Sequence, residues 1–289
     1  MTTNAARLQA LLQSRSLVPL AGVYDAMSAR LAELAGLPAI YLSGYCVSAT
    51  QLGLPDVGYL TMTEMLSTAG RITDSVGIPM IVDGDDGYGN HLNVGRMVRA
   101  LERMGAAGVQ IEDQVAPKRC GHMQGKRVVS RQAMLDKLNA ALDARTDPDF
   151  LIVARTDAIA VEGFTSAMER ALAYEATGVA AVFVEAPENE AQVREIASHI
   201  QAPKVFNWAL GGRSPTTDPE TLEALGYAFL LSPDIVFPVA RTLLDVYREV
   251  QRSGTYGALR DRMMSFDEFN ETIGLRAVAE LDRKYGQSD

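Results

Sequence analysis

Eight short apolar runs alternate along this chain with segments of helical periodicity, and this alternation restricts the fold more than any other feature. The runs are nearly continuous in apolar residues, as expected for strands that are buried on both faces of a parallel sheet. They cover residues 19–24, 39–43, 80–83, 108–112, 150–155, 181–185, 204–207 and 228–231. The helical patterns that follow them cover residues 26–35, 63–75, 93–104, 131–145, 166–177, 190–199, 219–225 and 238–251.

The number and length of these units predict an α/β fold, the (β/α)8 or TIM barrel, which typically needs about 250 residues. A doubly wound open sheet is the alternative, but it usually has fewer strands and a GxGxxG turn after the first. Here the first run ends at Tyr24-Asp25 without such a turn. Glycines that could adopt the left-handed conformation of a helix C-terminal cap follow four of the helical patterns. They are Gly36, Gly105, Gly178 and Gly226.

Two segments lie outside the repeat, although we predict one barrel domain over residues 1–289. Residues 4–15 have an amphipathic pattern, which predicts a short helix before the first strand. Residues 255–289 form a C-terminal extension with one amphipathic run, at 267–285. A helix beyond a closed barrel must bury its apolar face either on its own barrel or on a neighbouring subunit, and we favour the neighbouring subunit.

Composition restricts the class of protein. The net charge of -9, from 27 basic and 36 acidic residues, disfavours a nucleic-acid surface. Two cysteines cannot build a disulfide framework, which favours a reducing compartment. The first 18 residues lack the pattern of a signal peptide, and no apolar run approaches the roughly 20 residues of a membrane helix. We therefore predict a cytoplasmic protein that binds neither nucleic acid nor membrane.

Acidic residues stand at the ends of several predicted strands, and in a β/α barrel these ends meet on one rim. The polar residues and glycine at the strand ends are Tyr24, Asp25, Ser43, Gly44, Asp83, Asp85, Glu112, Arg155, Glu185, Asn207 and Ser232. One aspartate at a strand end is usually a helix cap or a turn former, which is our interpretation of Asp25 and Asp157. The coincidence of the other four acids on one rim instead predicts a metal ion with oxygen ligands, Mg²⁺ or alternatively Mn²⁺.

Two further features of the rim suit an acidic ligand. The guanidinium of Arg155 could hold a carboxylate through two parallel hydrogen bonds, or it could form an ion pair with Glu185 or Asp157. The backbone N–H groups of Ser43 and Gly44 could bind an anion without steric hindrance.

Cys120 lies in a glycine-containing segment with basic neighbours. Those neighbours are Lys118, Arg119, His122 and Lys126. Nearby cations favour the thiolate form of a cysteine, and a loop of this kind between a strand and a helix could close over a site. Cys46, by contrast, is interpreted as an inert core residue. His91 and His199 are interpreted as ordinary turn and helix-surface residues.

Four motifs contain most of these residues. They are Asp83-x-Asp85-x-Gly87-Tyr88-Gly89, Ile111-Glu112-Asp113-Gln114, Lys118-Arg119-Cys120-Gly121-His122 and Ala154-Arg155-Thr156-Asp157. Together they resemble the isocitrate lyase/phosphoenolpyruvate mutase superfamily over nearly the whole chain. The motif around Cys120 is similar to that of the lyase branch, which includes 2-methylisocitrate and 2,3-dimethylmalate lyases. Phosphonate-forming mutases generally lack it, although carboxyphosphonoenolpyruvate mutase-like proteins can carry it.

The resemblance implies a barrel whose eighth helix is exchanged between subunits, in a homotetramer built from dimers. It implies a 2-hydroxy or 2-oxo acid substrate that lies on Mg²⁺. Asp85 would hold the metal, with additional ligands acting directly or through water. Cys120 would protonate the carbanion that is released by C–C cleavage, and Tyr24 is the candidate acceptor of the hydroxyl proton.

The resemblance and the strand ends together give three sets of candidate residues. The catalytic candidates are Cys120, Tyr24, His122 and Lys118. The substrate-binding candidates are Ser43, Gly44, Tyr45, Arg155, Glu185 and Asn207. The metal-binding candidates are Asp83, Asp85, Glu112 and Asp56.

Three positions depart from the lyase pattern. They are Tyr45, where the lyases have a glycine-rich continuation, Asp86, where they have threonine or a small residue, and Leu210, where they have glutamate. Because Leu210 removes a polar group near the second carboxylate, we hypothesise a substrate with a less polar or bulkier distal part than isocitrate. The predicted activity is Mg²⁺-dependent cleavage of a 2-alkylmalate or 2-methylisocitrate. The alternatives are oxaloacetate hydrolysis or decarboxylation, phosphonate P–C bond chemistry, and a non-catalytic barrel that binds a small acid.

Overall fold

The structure is a computed structural model that describes residues 2–286. Eight parallel strands form a closed barrel in which each strand pairs with the next and the last pairs with the first. The strands are β1 (Val18–Val23), β2 (Ala39–Leu42), β3 (Met80–Asp83), β4 (Gly108–Glu112), β5 (Leu151–Thr156), β6 (Ala181–Val184), β7 (Lys204–Asn207) and β8 (Tyr227–Ser232). The predicted (β/α)8 barrel is confirmed.

Helices separate the strands. In chain order they are α1 (Asn4–Gln13), α2 (Ala26–Leu34), α3 (Gly44–Val47), α4 (Met62–Thr73), α5 (His91–Arg103), α6 (Arg131–Ala144), α7 (Ile159–Glu162), α8 (Phe164–Glu175), α9 (Glu190–His199), α10 (Pro219–Ala224), α11 (Val236–Ser253), α12 (Phe266–Thr272) and α13 (Leu275–Tyr285). Helix α5 begins two residues earlier than predicted because the side chain of Asn90 caps it. Asp25 caps α2, as predicted. The four predicted cap glycines all have positive φ, between 75° and 85°.

Side chains alternate along each strand between the barrel interior and the layer of helices. On β4, Val109 and Ile111 pack in the outer apolar cluster, whereas Gln110 accepts a hydrogen bond from Tyr41 inside the barrel. The inward-facing residues at the carboxyl ends of β3 to β7 are polar. They are Asp83, Glu112, Arg155, Glu185 and Asn207, and all of them are buried.

Helix α1 closes the opposite end of the barrel. Its residues Leu8 and Leu12 pack in one cluster with Val18 and Leu20, the inward-facing residues near the start of β1. The hydroxyl of Thr3 accepts a hydrogen bond from Ala6 N and so caps the helix. The interior is therefore filled with apolar side chains at its amino end and carries its charges at its carboxyl end.

The C-terminal segment differs from its predicted form. The amphipathic run 267–285 forms α12 and α13 rather than one helix, because Gly274 interrupts it with a φ of 88°. Among the described residues, none in α11, α12 or α13 is buried. Residues 287–289 of the predicted extension lie outside the described residues. No described helix is both long and apolar enough to cross a bilayer.

Candidate active site

A cavity of about 220 Å³ opens at the carboxyl ends of the strands. Most of the predicted site residues line it, namely Ser43, Tyr45, Asp56, Asp83, Glu112, Lys118, Cys120, His122, Arg155 and Asn207. The predicted residues Tyr24, Gly44, Asp85 and Glu185 are not among the described residues that line it. Gly44, Asp85 and Glu185 contact its walls from behind, whereas Tyr24 packs in the outer apolar cluster.

Lys118 joins two of the predicted metal ligands. Its Nζ atom lies 2.7 Å from Asp56 Oδ1 and 2.6 Å from Asp85 Oδ1, and all three side chains are buried. Burial nevertheless raises the pKa of Asp85 to about 7, because the ammonium offsets only part of the desolvation cost and Asp83 adds a like charge. The negative charge at Asp85 is thus incompletely compensated.

Asp83 organises the first part of the rim through hydrogen bonds to both of its carboxylate oxygens. Oδ2 accepts from Gly44 N at 3.2 Å, and Oδ1 accepts from Asp85 N at 3.2 Å and from Gln110 Nε2 at 3.4 Å. The N–H of Ser43 donates to Val23 O at 3.1 Å. In this structure both N–H groups of the predicted anion site therefore donate within the protein, so an anion bound there would have to replace these contacts.

The balance of charges around the cavity indicates whether a divalent cation could bind there. Acids outnumber bases among the buried ionisable residues there. The acids are Asp56, Asp83, Asp85, Glu112, Asp157 and Glu185, and the bases are Lys118, Lys126 and Arg155. Among residues 2–286, Glu112 Oε1 is a buried oxygen without a hydrogen-bond partner, and Asp85 Oδ1 has the Lys118 ammonium against it but no other donor. A Cβ atom on residue 44 would lie 3.0 Å from Asp83 Oδ2 and 3.2 Å from Asp85 Oδ1, so Gly44 keeps that space open.

These observations fit a hard cation with oxygen ligands such as Mg²⁺. The ligands are not preassembled, because within the described residues no three His, Cys, Asp or Glu side chains form a metal-binding group. The Lys118 ammonium instead lies against Asp56 and Asp85.

Arg155 is held by three carboxylates. Asp157 binds it in the bidentate mode, with Nε to Oδ2 at 2.9 Å and Nη2 to Oδ1 at 3.1 Å. Glu112 lies 3.3 Å from Nε, and Glu185 lies 3.4 Å from Nη2. The predicted ion pairs with Glu185 and Asp157 are both present, and Asp157 is a partner of Arg155 rather than the helix cap that we predicted. Arg155 also lines the cavity, where it can meet a substrate carboxylate.

Cys120 lies in a loop of residues 116–127, here called the Cys120 loop, that covers the cavity. Val115 N donates to Arg127 O at 2.9 Å across the base of the loop. Cys120 N donates to Asp56 O at 3.1 Å, and Gln114 exchanges two hydrogen bonds with the backbone of Arg119. These contacts fix the thiol at the cavity wall.

The predicted thiolate form of Cys120 is not supported. Burial raises the pKa of the thiol to about 11. Its basic neighbours in the sequence do not compensate, because Lys118 pairs with Asp56 and Asp85 and Lys126 pairs with Asp157. The group is therefore a protonated thiol at neutral pH.

His122 connects the Cys120 loop to the far side of the rim. Its Nδ1 accepts a hydrogen bond from Arg213 N at 3.1 Å, so its proton is on Nε2, which lies 3.2 Å from Glu185 Oε1. Asn207 Nδ2 donates to both oxygens of Glu185, at 3.2 and 3.3 Å. His122, Glu185 and Asn207 thus form one hydrogen-bonded group.

Sequence reasoning missed two polar residues inside the barrel. Tyr41 OH donates to Gln110 Oε1 at 2.8 Å, and Gln110 in turn contacts Asp83. The signal that could have identified Gln110 is a lone amide in the middle of an apolar strand. A buried amide needs a partner there.

Comparison with known proteins identifies the family. The family model for phosphoenolpyruvate phosphomutase matches residues 8–248. The 2,3-dimethylmalate lyase of Eubacterium barkeri is 41% identical over 283 residues, which cover 98% of each chain. The chain belongs to the phosphoenolpyruvate mutase/isocitrate lyase superfamily. The 2-methylisocitrate lyase of Escherichia coli K12, another relative, is 40% identical and covers 97% of this chain and 96% of its own.

The solved structures that superpose on this chain include enzymes with different activities. Oxaloacetate acetylhydrolase in complex with 3,3-difluorooxalacetate superposes with a TM-score of 0.93 at 31% identity, covering 99% of this chain and 98% of its own. Phosphonopyruvate hydrolase in complex with oxalate and Mg²⁺ superposes with a TM-score of 0.89 at 26% identity, covering 99% of this chain and 100% of its own. The protein is thus an enzyme of this superfamily, and membership in the superfamily alone does not determine its reaction.

Proposed function

We propose that this enzyme is a Mg²⁺-dependent carbon–carbon lyase. It would cleave a 2-hydroxy acid with two or three carboxylates, of the 2-alkylmalate or 2-methylisocitrate type, to a 2-oxo acid and a second carboxylic acid. One observation carries the proposal: a protonated thiol, Cys120, is held by its loop over a rim that combines excess carboxylates with Arg155. The 41% identical relative is a 2,3-dimethylmalate lyase, and the reaction in its name belongs to the same class.

Asp85 would hold Mg²⁺, with Asp83, Glu112 and Asp56 acting directly or through water. The uncompensated buried charge of these carboxylates supports this assignment. Mn²⁺ would suit the same oxygen ligands. Bound metal would lower the pKa of the substrate hydroxyl and stabilise negative charge on its oxygen.

The protein's own groups would bind and orient the substrate. Arg155 lines the cavity, so its guanidinium can donate hydrogen bonds to the carboxylate next to the hydroxyl, and the Ser43 hydroxyl lies in the same wall. Asp157 holds the guanidinium in place from the other side. Such fixed positioning lowers the entropic cost of reaching the transition state.

The proton transfers follow from the charges of the bonds that change. The hydroxyl loses its proton to a rim carboxylate, its oxygen forms the carbonyl of the 2-oxo acid, and the neighbouring C–C bond breaks. The electron pair of that bond leaves with the second fragment as a carbanion beside its carboxylate. Cys120 donates its proton to this carbanion, which is the role of an acid with a raised pKa. Tyr24 does not line the cavity, so we do not assign it the hydroxyl proton.

The outer part of the cavity supports an apolar distal group on the substrate. Tyr45 and Phe237 stack edge to face, with ring centroids 5.7 Å apart, and Leu210 and Pro233 line the same region. The third carboxylate of isocitrate, which a 2-alkylmalate lacks, would meet the negative charge of Asp234 there. This lining favours an alkyl-substituted malate over isocitrate.

The decisive experiment replaces Cys120 by serine and assays 2-oxo acid release from 2,3-dimethylmalate, other 2-alkylmalates, 2-methylisocitrate and isocitrate. We expect Cys120→Ser to lower kcat by about 10²–10⁴-fold, because it removes the general acid. Binding of Mg²⁺ and oxalate should persist. Cys46→Ser is the matched control, since Cys46 is buried and its sulfur contacts Pro233 O. Undiminished turnover by Cys120→Ser would disprove the proposal.

Oxaloacetate hydrolysis is the second candidate, because the oxaloacetate acetylhydrolase structure superposes with a TM-score of 0.93. This reaction adds water to a carbonyl and releases oxalate. The same assay with oxaloacetate distinguishes the two activities by product: oxalate from hydrolysis, and a 2-oxo acid from cleavage of the alkylmalates.

We also propose that a second copy of the chain covers the C-terminal helices, in a homotetramer built from dimers with exchanged helices. Exposed apolar residues recur at helical spacing on these helices. They are Leu243, Tyr247 and Val250 on α11, and Val278, Leu281 and Tyr285 on α13. A surface of this kind is typical of a subunit interface.

A further inference from the structure

Lys126 is a buried lysine inside the Cys120 loop. Only 1% of its side chain is exposed. Its Nζ atom donates to Gly121 O, the carbonyl next to Cys120, and to Asp157 Oδ1 at 3.1 Å. One ammonium group therefore joins the loop to a carboxylate of the barrel.

The carboxylate that Lys126 contacts is also the one that holds Arg155. Asp157 Oδ1 accepts from both Lys126 Nζ and Arg155 Nη2, each at 3.1 Å. The backbone of Asp157 is fixed in turn, because its N–H donates to Asp113 Oδ1 at 2.9 Å. Asp157 is thus a rigid point that the loop and the guanidinium share.

The loop packs closely on the same group. A Cβ atom on residue 121 would overlap the guanidinium of Arg155 and lie 2.7 Å from Glu185 Cγ. Lys126 contacts the carbonyl of this same residue, Gly121. The loop therefore has one seated position in which Gly121 contacts Arg155.

We propose that Lys126 is a positioning residue that ties the Cys120 loop to the counterion of Arg155. It holds the thiol and the guanidinium in a fixed mutual arrangement. The inference rests on the proposed function only for its effect on turnover, since the tether itself follows from contacts within the chain.

Another buried lysine provides a matched control. The Nζ atom of Lys204 donates to Ile200 O at 3.1 Å and to Ala202 O at 3.4 Å, next to its own strand. Lys204→Met removes a buried ammonium from two carbonyl contacts, as Lys126→Met removes one from Gly121 O and Asp157. Lys204 lies at the start of β7, at the end of the barrel opposite the Cys120 loop.

The experiment measures the rate at which iodoacetamide alkylates Cys120, resolved from Cys46 by peptide mass spectrometry. We expect Lys126→Met to raise this rate by about 10–100-fold, because a hydrogen-bonded charge no longer holds the loop closed. Lys204→Met should leave it unchanged. In turnover assays Lys126→Met should lower kcat by roughly 100-fold with a smaller change in KM, since the acid is displaced.

Lys126→Gln, whose amide can still donate one hydrogen bond, should give an alkylation rate between those of wild type and Lys126→Met. If Lys126→Met does not fold, the alkylation rate of Lys126→Gln is compared with wild type instead. An alkylation rate in the folded Lys126 variant equal to that of wild type and Lys204→Met would overturn the proposal. Alkylation needs no turnover. Faster alkylation of the Lys126 variants, together with no lyase activity in the wild-type enzyme, would therefore refute the proposed reaction and leave the tether supported.

Discussion

At the scale of single residues, burial sets the chemistry of the site more than charges that are adjacent in sequence. Lys118 and Lys126 flank Cys120 in the chain, yet each ammonium points to a carboxylate of the barrel rather than to the sulfur. Burial then raises the pKa of the thiol to about 11. The outcome suits an acid that delivers a proton, not a nucleophile.

Asp157 illustrates how a buried carboxylate stabilises the rim. The charges of Arg155 and Lys126 lower its pKa to about 2, from 3.8. We expect Asp157→Asn to reduce the free energy of unfolding by on the order of 2 kcal/mol at neutral pH. A lowered pKa stabilises the fold above the unfolded value of 3.8, and this contribution disappears as the pH falls towards 2.

Urea denaturation at several pH values measures this difference. The gap between wild type and Asp157→Asn should narrow below about pH 4. Asp143→Asn is the control, because Asp143 is exposed on α6. A gap that stays constant with pH would mean that the carboxylate charge does not supply the stabilisation.

Leu210 is the residue through which substrate choice can be tested. It is 59% exposed at the cavity mouth, and its N–H donates to Asp234 Oδ2 at 3.2 Å. Leu210→Glu should lower kcat/KM for the preferred alkylmalate by roughly tenfold, because the alkyl group would meet a charged side chain. Leu210→Met, which keeps an apolar group of similar volume, should have little effect. Equal kcat/KM for the two variants would exclude contact between Leu210 and the substrate.

The sequence was informative about residues whose position follows from periodicity. Asp83, Glu112, Arg155 and Asn207 were predicted on the rim because strand ends converge in a barrel, and all four line the cavity. The ion-pair partners of these residues could not be predicted from the sequence. The contact of Lys126 with Asp157, for example, depends on how the loop folds back onto the barrel. Tyr24 directly follows β1, but its side chain packs in the outer cluster.

At the scale of elements, the Cys120 loop depends on close contact between its backbone and the rim. Gly121→Ala should prevent the loop from seating, because the added methyl group would overlap the guanidinium of Arg155. We expect kcat to fall by about 100-fold, as a small displacement of the acid suffices.

Steady-state kinetics checks this prediction against Gly95→Ala. Gly95 lies on the buried face of α5, where a Cβ atom would find its nearest neighbour, Arg99 Nη1, at 3.5 Å. That variant adds the same methyl group at ordinary contact distance and should retain wild-type kcat. Normal turnover by Gly121→Ala would show that the loop does not need this approach.

Long elements were predicted well, and short ones were missed. All eight strands were located within two residues, since buried runs bounded by glycine and charge are distinctive. Helices α3 and α7 have four residues each, too few to show a helical period. The break between α12 and α13 depends on the left-handed conformation of Gly274. A single glycine in an amphipathic pattern does not predict such a break.

At the scale of the whole molecule, the C-terminal helices leave the eighth helical position of the barrel without a packed helix. Helix α11 follows β8, but none of its described residues is buried. The helices before it bury apolar residues against the strands, as α5 does with Val94 and Leu101. A second chain that places its own α11 there would complete the layer.

Replacing Val278 and Leu281 together by aspartate should therefore dissociate the assembly. These side chains are 60% and 58% exposed within one chain, and an aspartate buried in an apolar interface is costly. Sedimentation equilibrium should show a tetramer for wild type and a smaller species for the double variant. Leu92→Asp, at a 71% exposed leucine on α5, is the control. An unchanged mass would place the interface elsewhere.

The plug formed by α1 has a kinetic consequence. Leu8 and Leu12 fill the amino end of the barrel, and the cavity opens at the opposite, carboxyl end, beside the Cys120 loop. Under the proposed reaction, the two products of one cleavage would leave in sequence through this opening. Movement of the Cys120 loop away from this opening would then limit the rate of product release. Solvent viscosity could slow that step even when bond cleavage is fast.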